Sequence, residues 1–394
     1  MKIQSRLLLT LLLAAPASAV AVITAAPTAS DPSATDAART LTAADAEVRT
    51  LVFAGGDSIS KFYRIPAVVT QPDGTIVAVA DRRLDSNGDL PGRIDVVSRR
   101  STDGGRTWED VVTVARHDDG GGYGDPGLGL APDGSLVCVM THGDGLWQSA
   151  EGSHAYIYTS RSTDGGRTWS TPADITAGLF SQTEGEAPVR CITAFATSGR
   201  IHTHSDGTMW FVLVARPVID MWCDLSVYPC RSTDGGLTWE AVPAAVDTDG
   251  DESKMAELAD RSLLMSIRNR RQHFRKFARS TDGGRTWTAV EKSSTLPDPA
   301  INGDILTLPD GTLIHSICNS PDTRTRVSLY KSADNAASWQ RMAEVCPGGS
   351  AYSALTLLDG GRTLGVMTEE DSADGTGFRI WFTTFNLEKL LGEK

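Results

Sequence analysis

The chain has 394 residues, 40% hydrophobic and 22% charged, with 37 Lys and Arg against 49 Asp and Glu for a net charge of −12. That balance excludes a nucleic-acid binder held by a global basic field, and any anionic ligand must be captured by a local cluster of cations. Six cysteines (Cys138, Cys191, Cys223, Cys230, Cys318 and Cys346) show no metal-ligand spacing, so no metal is expected and their pairing stays open.

Lys2 and Arg6 precede an apolar run from Leu7 to Ala15, and Ala17-Ser18-Ala19 supplies small residues for cleavage. Residues 1–19 therefore read as an export signal, too short and too interrupted at Pro16 to span a bilayer. The mature chain is expected to be secreted and extracellular, with no membrane insertion. Residues 20–46, rich in Ala, Thr, Asp and Pro, read as a flexible leader, and 47–394 as one folded domain.

Within that domain the chain repeats itself. The octet STDGGRTW stands at Ser101–Trp108, Ser162–Trp169 and Ser280–Trp287, with STDGGLTW at Ser232–Trp239 and a degenerate SADNAASW at Ser332–Trp339. Spacing of about 50–70 residues signals a propeller or another repeat array. A weaker repeat counts the units. Turn signals at Pro72-Asp73-Gly74, Pro132-Asp133-Gly134, Ser205-Asp206-Gly207, Ala259-Asp260-Arg261, Pro309-Asp310-Gly311 and Leu358-Asp359-Gly360 each join two β-rich runs. A third run leads into the octet and a fourth leaves it. The prediction is an all-β, six-bladed β-propeller of four-stranded antiparallel blades. The sixth unit has no octet after Arg379–Phe385, so the N-terminal run Thr50–Ala54 is placed to complete it. The octets themselves suit a tight turn with a packed tryptophan, a structural role.

Blade geometry sends the starts of the first strands, and the loops between second and third strands, to one face of the disc. On that face lie Arg64, Asp125, Gly199, Glu252, Asn302 and Tyr352 from the first group, and Asp89, Arg268, Asn269 and Arg324 from the second. Singly, each would be a solvated rim residue or an ion-pair partner. Three arginines, three carboxylates and a tyrosine on one face make a binding site the better reading.

With Tyr63-Arg64-Ile65-Pro66, the octets, the stretch Glu252 to Arg268 and Tyr352-Ser353, the chain resembles the bacterial exo-sialidase (neuraminidase) family over roughly residues 48–388. The resemblance implies that Arg64, Arg268 and Arg324 form an arginine triad for the substrate carboxylate, which guanidinium groups bind bidentately. Arg270 and Arg326 are rivals in their loops. Tyr352 then resembles the nucleophile and Glu252 its base. A neutral phenol avoids the repulsion a carboxylate nucleophile would meet beside the substrate's own carboxylate, but its high pKa needs a base. Asp89 resembles the acid/base, with Asp85 as competitor. Arg83 and Asp125 match positions that touch the sugar's substituents, and Trp147 an apolar wall. The implied function is a retaining exo-α-sialidase acting on sialylated glycoconjugates, as a monomer and without cofactor. A trans-sialidase and an inactive sialic-acid-binding propeller are the alternatives.

Overall fold

The computed structural model describes residues 40–394, except 57, 58, 221, 222, 272, 376, 393 and 394. The expected export signal and most of the expected leader therefore lie outside the described residues. The last part of that leader is ordered: Leu41–Thr42 pairs in parallel with Ala343–Glu344, followed by a 3-10 turn over Ala43–Asp45 capped by Thr42. Leu41 and Ala46 pack against buried apolar residues, which explains why the folded body extends ahead of residue 47.

The runs between Asp-Gly turns form six antiparallel sheets around a central channel, the predicted six-bladed propeller. Blade one comprises Phe62–Thr70, Ile76–Arg83, Ile94–Ser101 and Val112–Ala115, and blade two Tyr123–Leu130, Leu136–Gly143, Ala155–Ser162 and Ala173–Asp174. Blade three has a broken inner strand. Thr193–Ala196 pairs with Met209–Arg216, and Gly199–Arg200 crosses to pair in parallel with blade two. His202–Thr203 then returns to Met209–Arg216. Blade four runs from Gly250–Glu257 to Glu291–Asp298, and blade five from Asp304–Thr307 to Gln340–Glu344. In blade six, Val48–Phe53 forms the outer strand against Phe378–Asn386, as the missing octet required.

The octets join neighbouring blades. In the first, Ser101 Oγ donates to Asp103 Oδ1 (2.8 Å) and accepts from Gly105 N (2.9 Å), and Asp103 accepts from Thr107 N (2.9 Å). A Cβ on Gly105, whose φ is +86°, would lie 2.3 Å from Phe382 in blade six, so only glycine lets the two blades meet. The degenerate octet keeps the Asp334 bonds to Ser332 and Ser338, and Asn335 and Ala336 take the left-handed φ values of 57° and 67°. The side-chain bonds thus hold the turn where its glycines are lost.

Trp108 Nε1 donates to Thr50 Oγ1 (3.1 Å), Thr50 Oγ1 to Gly105 O (2.6 Å) and Arg99 Nη1 to Val52 O (2.7 Å), so blade one grips the outer strand of blade six. The core is the set of apolar layers between blades, such as Val77, Val79, Leu136 and Met140 between blades one and two. All six cysteines are free thiols, and no described helix is long and apolar enough to cross a membrane.

Candidate active site

Four inner strands carry a β-bulge at the same height. Pairing skips between Arg64 and Ala67, Gly124 and Gly127, Gly250 and Ser253, and Ser350 and Ser353. At each point two residues oppose one, which re-aims their side chains. Arg64, Asp125, Glu252 and Tyr352 all sit at or beside these bulges. Ile65 and Asp125 adopt left-handed φ values of 60° and 55°, a costly conformation that the surroundings must enforce.

The result is a cavity of about 490 Å³ at one mouth of the channel. Its wall includes Arg64, Asp89, Asp125, Glu252, Arg268, Arg324 and Tyr352, with Leu90, Leu146, Trp147, Phe195 and Leu225 as an apolar side. Of the expected site residues, only Arg83 is not on this wall. It is 1% exposed and bridges Asp81 (2.8 Å) and Asp89 (2.8 Å), so it anchors the Asp89 loop from behind.

The rivals left open by the sequence differ in their contacts. Arg270 donates to Cys223 O (2.9 Å) and lies over Trp147, which Arg216 also flanks. Arg326 pairs outward with Glu344 (3.0 Å), whereas Arg324 reaches the wall and donates to Ala300 O (2.9 Å). Asp85 is tied to Arg93.

At the centre, Tyr352 Oη donates to Glu252 Oε2 at 2.5 Å, and Arg268 Nη1 donates to the same oxygen at 2.5 Å. Burial pushes the Tyr352 phenol well above its ordinary pKa, and the charge of Glu252 adds to this against the pull of Arg268 and Arg64. The phenol is therefore neutral at rest, with a proton acceptor already in reach. Asp125 is also raised well above its ordinary value, first by burial and then by Asp81, Asp89 and Glu252. Burial lifts Asp81 to about 6 against the pull of Arg83.

Glu369 was not singled out in the sequence. Its carboxylate accepts from Arg64 Nε (2.9 Å) and Nη2 (3.1 Å), Ile65 N (2.6 Å) and Tyr352 N (3.0 Å). One fully buried acid thus orients an arginine, enforces the Ile65 backbone and places the Tyr352 strand. Burial would raise its pKa, but Arg64 and these N–H groups hold it below the usual glutamate range.

A larger cavity, about 630 Å³, opens at the opposite mouth of the channel, lined by Thr70, Arg200, His202 and Thr307 among others. Its arginine is already paired with Asp304 (3.0 Å). The 490 Å³ cavity is the one that holds the Tyr352–Glu252 pair. Among the described residues no cluster of His, Cys, Asp or Glu is gathered to hold a metal ion.

A sialidase of Micromonospora viridifaciens is 31% identical over 358 residues, covering 84% of this chain and 52% of that protein. A sialidase of Bacteroides fragilis is 31% identical over 350 residues, covering 82% and 62% respectively. The chain thus spans little more than half the length of these curated relatives. The solved Hadza microbial sialidase Hz136 superposes with a TM-score of 0.75 at 28% identity, covering 86% of this chain and 68% of that one. The family described as BNR repeat-like domain matches residues 74–365, and the chain belongs to that family.

Proposed function

We propose that this chain is a retaining exo-α-sialidase that hydrolyses terminal sialic acid from glycoproteins, glycolipids and oligosaccharides. The observation that carries this reading is the 2.5 Å bond from the Tyr352 phenol to Glu252 in a cavity walled by three arginines. Sialic acid bears its carboxylate on the anomeric carbon, so the arginines fix both charge and the reacting atom. Tyr352 Oη attacks that carbon while Glu252 takes the phenolic proton and Asp89 protonates the departing oxygen. Asp89 then takes a proton from water, water attacks the tyrosyl intermediate, and Glu252 returns its proton to Tyr352. Residues 1–19 are read as the signal that delivers the enzyme to extracellular glycans.

The test is a panel of linkage-defined sialosides followed by NMR. Free sialic acid is expected as the α-anomer first, because two displacements retain configuration. Release of the β-anomer first would refute the tyrosyl intermediate, and no release from any sialoside would refute the hydrolase. Product appearing mainly on an added lactose acceptor would identify a trans-sialidase.

Arg64→Lys and Arg268→Lys keep the charge but lose the planar fork, and the former also loses the two-pronged bond to Glu369. Each should raise KM and lower kcat, reducing kcat/KM by roughly 10–100-fold in steady-state assays. Near-normal kinetics would remove that arginine from the site.

A further inference from the structure

Beneath the Tyr352–Glu252 pair the channel holds a lysine that the proposed chemistry does not use. Lys254 lies two residues beyond Glu252 on the inner strand Gly250–Glu257, and is 2% exposed. A buried ammonium is costly unless it is well partnered. Its Nζ donates to Asn302 Oδ1 at 2.7 Å. Asn302, 3% exposed, turns its Nδ2 to Ser198 Oγ (2.9 Å) and to Glu252 Oε1 (3.3 Å).

An ammonium has donors and no acceptor, so Asn302 must present its oxygen to Lys254 and its amino group to Glu252. The flipped amide would set donor against donor and aim an oxygen at a carboxylate. Space for the lysine stem comes from the strand that crosses between blades two and three. A Cβ on Gly199, whose φ is +95°, would lie 2.6 Å from Lys254 Cε.

We propose that Lys254 is a positioning residue for the catalytic pair: it locks the Asn302 amide and, as a cation below Glu252, favours the charged carboxylate that receives the Tyr352 proton. This rests on the sialidase reading above. Four charged groups act on Lys254. Glu252 and Asp304 favour its ammonium, whereas Arg275 and Arg200 oppose it. Burial is the largest influence and lowers its pKa to about 8, so it is protonated at neutral and acid pH. Glu252 in turn faces Tyr352, Arg268, Asn302 and Ser198, with Asp125 across the cavity.

The test uses the full chain with Lys254→Met and with Asn302→Asp, which keeps the shape of the amide but removes its donor to Glu252. Melting temperature and the pH dependence of kcat and kcat/KM on an aryl sialoside are measured. Without the cation or the donor, the acid limb of kcat/KM should move up by roughly one pH unit or more. At the acid end kcat should fall at least about tenfold while KM changes less than about threefold. A lysine that only supports the fold would alter melting without moving that limb. If Lys254→Met does not fold, Asn302→Asp decides alone. An unmoved limb in the folded variants of an active enzyme overturns this inference and leaves the sialidase reading intact. An unaltered chain that releases no sialic acid overturns both.

Discussion

Tyr352→Phe should abolish nearly all turnover while leaving the fold in place. The ring that lies 5.5 Å from the Arg64 guanidinium is retained, and only the hydroxyl that bonds Glu252 is lost. Removing a nucleophile that acts as a unit with its base costs about 10³-fold or more in kcat. Glu252 keeps its bonds from Arg268 and Asn302, so no carboxylate is left unpaired and melting should shift little. Steady-state kinetics and mass spectrometry of enzyme treated with a fluorinated sialosyl trap check both parts. Labelled protein or more than about a tenth of normal turnover in Tyr352→Phe would mean another group attacks the anomeric carbon.

The second large effect belongs to Asp89, which Arg83 holds at 2.8 Å on the cavity wall. A sugar alcohol needs a proton as it leaves, whereas an activated phenol departs largely unaided. Asp89→Ala should therefore lose about 10²–10⁴-fold on natural sialosides and far less on an aryl sialoside of low leaving-group pKa. Water attack on the intermediate also needs this base, so the aryl substrate should give an initial burst followed by slow release. Asp85→Ala breaks an exposed pair with Arg93 and should show no dependence on leaving group. Equal slowing of both substrates by Asp89→Ala, with no burst, would transfer the role elsewhere.

The ring was legible because its parts are local. An Asp-Gly turn and an octet whose serine, aspartate and threonine bond one another announce themselves within eight residues. Counting them located the face, and the face brought Glu252 and Tyr352 together across 100 residues of sequence. What stayed hidden depends on neighbours that no local pattern names. Glu369 stands in Thr368-Glu369-Glu370-Asp371, which has the look of a solvated acidic run. Strand alternation splits it, sending Glu369 inward to Arg64 and Glu370 toward Arg49. Arg83 was singled out as a sugar contact, but its enclosure with Asp81, and the pairing of Arg82 with Asp95, depend on partners that the sequence does not announce. The bulges were also invisible, since Asp251 and Glu252 become a two-against-one pair only when the register against Arg268 is known.

The outer strand Val48–Phe53 has a consequence in time as well as space. It leaves the ribosome well before its ladder partner Phe378–Asn386, with blades one to five made in between. Throughout that interval it would be an unpaired edge, a template for the wrong partner. Trp108, Gly105 and Arg99 lie only about fifty residues downstream and already bind Thr50 and Val52. The first blade can thus park the closing strand in position while blades two to five are made. The slow, long-range step of ring closure then reduces to docking the last hairpin onto an edge already waiting for it.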